Sequence, residues 1–134
     1  MPLPKSIKLI MKILIADDSD IVRKRLVDIF RMPGVAYSVL EARSAEEAIK
    51  HLEREDPDIA ILDIQMPGGS GIDVLRHIRV TTTGAVVIMY TSYPYPQYRE
   101  RCMAEGADYF FDKTTESREL IETIQKIINS KTKD

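Results

Sequence analysis

Apolar residues along this chain fall into two alternating rhythms, short unbroken runs and stretches with helical spacing, and that alternation predicts repeated strand–helix units. The run Lys12-Ile13-Leu14-Ile15-Ala16 reads as a first strand. Asp18, Ser19 or Asp20 can then cap a helix with Val22, Leu26, Ile29 and Phe30 on one face, which Pro33-Gly34 ends. Tyr37 to Ala42 reads as a second strand. Ser44-Ala45-Glu46-Glu47 is a capping box that opens a helix with Ala48, Ile49 and Leu52 inward, stopped before Pro57. The run Ile59-Ala60-Ile61-Leu62 predicts a third strand, followed by a helix carrying Ile72, Val74, Leu75 and Ile78. After Thr81-Thr82-Thr83-Gly84 come the strand Ala85 to Tyr90, a polar helix around Gln97 to Glu105, the turn Gly106-Ala107 and the short strand Tyr109-Phe110-Phe111. A last helix near Glu116 to Asn129 is expected to bury Leu120, Ile121, Ile124, Ile127 and Ile128. Two strands are almost wholly apolar, as parallel strands covered on both faces are. Five βα units of this kind predict a doubly wound α/β sandwich around a parallel sheet.

Composition narrows the picture. A length of 134 residues suits one domain, and 44% hydrophobic residues suffice for one core. A net charge of −2 gives no basic character that would point to nucleic acid. No apolar stretch approaches the ~20 residues that span a bilayer, and Met1 to Ser6 does not read as a signal peptide. The single Cys102 fits a reducing compartment, so the cytoplasm is the expected location.

The candidate chemistry lies where strands end. Asp17-Asp18 closes the first strand and Asp63 closes the third. The carboxyl edge of an open α/β sheet is its usual ligand-binding edge. Carboxylates gathered there repel one another unless a cation lies between them, and a hard, oxygen-preferring ion such as Mg²⁺ is the expected cofactor.

In these motifs the chain resembles the receiver domain of response regulators, the phosphoacceptor half of two-component signalling. Asp17-Asp18-Ser19 matches the first motif of that family, and Asp63-Ile64-Gln65-Met66-Pro67-Gly68-Gly69-Ser70-Gly71 matches the second, Asp-x-x-Met-Pro-x-x-x-Gly. Thr91-Ser92 matches the third, and Lys113 after Gly106 to Asp112 the fourth. The spacings, 91 − 63 = 28 and 113 − 91 = 22, also agree. Any one motif is weak, but four in order are specific. The resemblance implies a CheY-like, flavodoxin-like five-stranded parallel sheet of order 2-1-3-4-5. It sets a receiver domain at 12–129, between an N-terminal extension (1–11) and a polar tail (130–134).

By resemblance, Asp63 is the phosphoacceptor, and Asp18, Asp63 and the Gln65 backbone carbonyl are the Mg²⁺ ligands, with Asp17 acting indirectly. Lys113 pairs with a phosphoryl oxygen and Thr91 gives its hydroxyl to another. Phe110 stands where the family keeps an aromatic that changes rotamer. Implied partners are a histidine kinase or histidine phosphotransfer protein upstream, and a downstream protein or effector domain. The fourth helix, fifth strand and last helix form the output face, and a homodimer through it is one arrangement. No direct nucleic-acid or membrane binding is expected. The domain is expected to catalyse its own phosphorylation and dephosphorylation without being a turnover enzyme. Tyr93 and Gln65 occupy places that tune phosphoryl hydrolysis, and a bulky Tyr93 predicts slow loss. Nothing after Asn129 reads as an effector, so the chain is a single-domain regulator or a receiver taken from a longer protein.

Each residue has a plainer reading. Asp18 or Ser19 alone would be a helix cap, Lys113 a solvated charge, Thr91 a strand end and Phe110 core. His51 and His77 read as solvated, and Cys102, Met89 and Met103 as packing. Tyr93-Pro94-Tyr95-Pro96 is a partner surface or a proline-set helix start. Thr114 stands where many family members have proline. A phosphatase of the haloacid dehalogenase type is a second reading, but it needs a general acid two residues after its nucleophile, where this chain has Gln65 or Ser19. A third is a receiver-like module that signals by contact alone.

Overall fold

The computed structural model describes residues 10–31, 35–81 and 84–132. The expectations for Pro33-Gly34, Thr82-Thr83, the first nine residues and the last two lie outside them. Five strands form the main sheet: β1 (Ile10–Ala16), β2 (Ala36–Ala42), β3 (Ile59–Leu62), β4 (Val86–Thr91) and β5 (Tyr109–Asp112). All pair in parallel, in the order β2-β1-β3-β4-β5. Helices α1 (Asp20–Ile29), α2 (Ala45–Leu52), α3 (Gly71–Thr81), α4 (Pro96–Ala104) and α5 (Ser117–Thr132) complete a doubly wound sandwich. Among the described residues no helix is long and apolar enough to cross a membrane.

The alternation of side chains along each strand builds two cores. Ile13, Ile15, Ile59, Ile61, Ile88 and Tyr90 pack with Leu26, Phe30, Leu120, Ile124 and Ile128 beneath α1 and α5. Leu14, Ala16, Ala60, Leu62, Val87 and Met89 pack with Ala48, Leu75, Ile78 and Cys102 beneath α2, α3 and α4. Both faces of the central strands are therefore dry, which accounts for their unbroken apolar runs.

Local signals set most boundaries. The Ser19 hydroxyl accepts from the Val22 amide at 3.3 Å, and Ser44 accepts from the Glu47 amide at 3.1 Å. Pro96 opens α4, where the Tyr95 cap makes no side-chain bond.

Some details differ from the sequence pattern. β1 starts at Ile10, inside the expected extension, because β2 is long enough to pair Ile10 with Ala36 and Met11 with Tyr37. α5 continues through Thr132 instead of stopping at Asn129. Ile121 is 36% exposed, since the stripe of α5 that faces the sheet is filled by Leu120, Ile124 and Ile128. Met103 is 44% exposed, because Cys102 takes the inward position of α4. His51 is half-buried, with Nε2 2.9 Å from the Glu41 carbonyl, and His77 is also half-buried.

Candidate functional site

Four chain segments meet at the carboxyl edge of the sheet. The parallel ladder carries Asp17 and Asp63 there together: the Asp17 amide donates to the Ala42 carbonyl at 3.0 Å and the Asp63 amide to Ala16 at 2.9 Å. Lys113 arrives on the loop after β5, where its amide donates to the Thr91 carbonyl at 2.9 Å. The Asp112 carboxylate holds that loop by accepting from the Thr114 amide (2.8 Å) and the Thr114 hydroxyl (2.7 Å). Thr114, which departs from the family pattern, thus supplies two bonds of its own to the turn.

Carboxylate oxygens of Asp17, Asp18 and Asp63 lie within 4.8 Å of one another. Asp17 and Asp63 are buried and Asp18 is exposed. The Lys113 ammonium bridges the buried pair, 2.5 Å from Asp17 Oδ2 and 2.7 Å from Asp63 Oδ2. Asp17 Oδ1 accepts from the Ser19 amide at 2.9 Å. Asp63 Oδ1 is buried and, among the described residues, has no hydrogen-bond partner. An orphaned carboxylate oxygen beside two further carboxylates suits a hard divalent cation, which needs oxygen donors. The donor set therefore fits Mg²⁺.

Burial raises the Asp63 carboxyl above its usual range; Lys113 and Thr91 pull against that rise, and the charge of Asp17 adds to it. Burial pulls the Lys113 ammonium down, but its bonds to Asp17 and Asp63 outweigh this and leave it raised. The site is thus a charge-coupled triad in which one cation offsets two buried anions.

The cleft above these groups has a volume of about 540 Å³, and Gln65, Pro67, Ser92 and Tyr93 also line it. Its floor depends on backbone geometry after Asp63. Gln65 pairs with Ser70 in a small antiparallel ladder, with Pro67-Gly68 at the turn and Gly68 at φ 72°. A Cβ on Gly71 would lie 1.9 Å from the Asp63 carbonyl oxygen, so only glycine lets α3 start against the Asp63 peptide.

Thr91 is fully buried at the end of β4, and its hydroxyl accepts from the Tyr93 amide at 3.0 Å. Phe110 is 5% exposed and packs in the core beneath α4. The Arg99 guanidinium lies 5.1 Å from the centroid of the Phe110 ring, and Nη2 donates to the Phe110 carbonyl at 3.1 Å. The segment before α4 is a proline-set helix start that also exposes Tyr93 and Tyr95, whose rings are 6.4 Å apart; the half-buried Tyr98 inside α4 continues the row, 5.8 Å from Tyr95.

Arg23 was not legible as a site neighbour. It is buried on α1 and donates to the Asp17 carbonyl at 2.6 Å, yet an arginine in the first turns of a polar helix reads from sequence as a solvated charge.

Comparison with known proteins places this geometry. The family model for the response regulator receiver domain matches residues 13–125. A cyclic di-GMP phosphodiesterase of Thermotoga maritima is 33% identical over 103 residues, covering 77% of this chain and 27% of that protein. A DNA-binding response regulator of the LuxR family from Staphylococcus aureus superposes with a TM-score of 0.76 at 30% identity, covering 89% of this chain and 99% of that one. A CheY-like receiver domain protein from Methanospirillum hungatei JF-1 superposes with a TM-score of 0.77 at 26% identity, covering 92% and 98%. The chain spans 27%, 60% and 54% of the length of three curated relatives that it matches. The match over most of the chain, with the four motifs gathered on one edge of the sheet, means that this chain belongs to the response regulator receiver domain family.

Proposed function

We propose that this chain is a phosphoacceptor switch, modified on Asp63 in a Mg²⁺-dependent reaction. The observation that carries this reading is the buried Asp63 Oδ1, without a partner among the described residues, on a side chain that lines one cleft with Asp17, Asp18 and Lys113. A carboxylate held this way can attack the phosphorus of a phosphohistidine or a small acyl phosphate. The new O–P bond makes an acyl phosphate as the P–N or P–O bond to the donor breaks, and the donor leaves with that electron pair.

Asp18, Asp63 and the Gln65 carbonyl would hold the metal, and Asp17 would orient it indirectly. When bound, Mg²⁺ supplies charge neutralisation for the transferring phosphoryl group. Lys113 would exchange its bond to Asp63 for one to a phosphoryl oxygen, and Thr91 would give its hydroxyl to another. Those exchanges favour a second arrangement of α4, β5 and α5 and shift Phe110, which changes the face offered to a partner or output domain. The donor is a histidine kinase or a histidine phosphotransfer protein, and the setting is the cytoplasm. Self-catalysed loss of the phosphoryl group, slowed by Tyr93 over the cleft, resets the switch.

Intact-mass spectrometry after incubation with acetyl phosphate tests the reading. The expected outcome is a gain of one phosphoryl group that requires Mg²⁺ and is lost in Asp63→Ala, decaying faster in Tyr93→Ala than in the parent. No gain in the folded parent would favour a module that signals by contact alone.

A further inference from the structure

Beyond the residues that would touch metal or phosphoryl group, the underside of the site contains a buried cation with three acceptors. Arg23 is 5% exposed. Its Nη1 donates to the Asp17 carbonyl at 2.6 Å, its Nε donates to Glu41 on β2 at 3.1 Å, and its Nη2 bonds Asp20 in the first turn of α1. Asp20 is also 3.3 Å from Arg43 Nη2, so it is shared between two guanidinium groups.

The bond to Asp17 answers a backbone need. The β1–β2 register ends at Ala16 and Ala42 and the β1–β3 register at Ala16 and Leu62, so the next carbonyl, that of Asp17, lies past the last ladder pair. Left unpaired in a buried place, it would cost stability and be free to turn. Arg23 satisfies it from the α1 side. The amide of the same residue is already fixed on Ala42. With the amide and the carbonyl of Asp17 both held, the peptides on either side of its Cα are fixed, and the carboxylates of Asp17 and Asp18 are carried near Asp63. A lysine could meet this carbonyl with one ammonium, but it cannot span three acceptors in a plane as the guanidinium fork does.

We infer that Arg23 is a positioning residue for the acidic cluster, fixing the Asp17–Asp18 peptide so that Asp18 and Asp63 are spaced to share a divalent cation. This rests on the reading above that the cluster takes Mg²⁺. Arg23 touches neither metal nor phosphoryl group; it acts through the peptide that carries the ligand, as outer-shell partners of metal sites do.

The test is Mg²⁺ titration by calorimetry on the full chain with no phosphodonor present, for the parent, Arg23→Lys and Glu41→Gln. Melting of each in Mg²⁺-free buffer is followed alongside. Arg23→Lys is expected to weaken Mg²⁺ by about tenfold, the lower end of outer-shell effects, while remaining folded at the assay temperature. At saturating Mg²⁺ its labelling by acetyl phosphate should return to within about twofold of the parent, because only the metal's site is loosened. Glu41→Gln, which keeps the fork and an acceptor for Nε but removes the charge of that anchor, should weaken Mg²⁺ by a smaller factor and serves if Arg23→Lys does not fold. A lower melting temperature with unchanged Mg²⁺ affinity in the variants would make Arg23 a purely structural tie and overturn the inference alone. No Mg²⁺ binding by the parent would overturn the cation-site reading, and this inference with it.

Discussion

Gly71 shows how tightly one position can bind sequence to chemistry. Its Cα faces the Asp63 carbonyl so closely that Gly71→Ala must move either the start of α3 or Asp63 itself. The expected cost is on the order of 3 kcal/mol or more, the upper range for overpacking, with loss of acetyl phosphate labelling; urea unfolding and mass spectrometry measure the two. Asp63 carries a charge cost of its own. Folding raises its carboxyl above the ordinary value, so its stability contribution is present below that value and lost as pH rises through the raised one. Asp63→Asn should therefore melt at a higher temperature than the parent at pH 7 without Mg²⁺. That advantage should shrink as pH falls from the raised value toward the ordinary carboxylate value and be gone below it, which thermal melts in Mg²⁺-free buffers will show. Asp17, Asp18, Asp63, Thr91 and Lys113 were legible as one group because their types and spacings formed a pattern. Arg23 was not, because its role depends on where the sheet ladder stops, and single-chain spacing does not encode that. Ile121 and Met103 misled for a related reason: an apolar residue at helical spacing need not face the sheet when a neighbour already fills that stripe.

At the scale of elements, α4 stands apart. It is polar, it starts on a proline without a side-chain cap, and Cys102 is its one buried residue. Beside the packing of Cys102 in the core that holds Phe110, Arg99 ties α4 to β5, covering the Phe110 ring and bonding the Phe110 carbonyl. Elements with few buried contacts open locally at lower free energy than the rest of a fold. Cys102 reports that opening, because burial pushes its thiol up to about 11 and the closed state leaves it unreactive near neutrality. Labelling of Cys102 by an aromatic disulfide at pH 8 should be slow in the parent and several-fold faster in Arg99→Ala. Equal rates would mean that the Arg99 tie does not hold α4 down. The five strands of the main sheet and the five helices were legible in their sequence along the chain, since two apolar rhythms alternate. The spatial order of the strands came only with the family resemblance, and the two-residue ladder of Gln65–Met66 with Gly69–Ser70 had no pattern to show it. The ends were less so. β1 extends back to Ile10 because its partner strand is long enough to pair with it, a long-range fact that no local pattern carries.

For the whole molecule, the central sheet acts as a partition. Side chains from α1 and α5 meet one face and those from α2, α3 and α4 meet the other, and the two sets share no buried side chain. Ile124 and Leu75 lie in opposite cores. Truncating either to alanine should cost about 2–5 kcal/mol. The double substitution should cost the sum of the two to within ~0.5 kcal/mol, because separated sites without shared partners do not couple. Denaturant unfolding of the four proteins measures this. The partition thus makes the two halves of the interior thermodynamically independent ledgers, so substitutions can accumulate on one side without setting terms for the other.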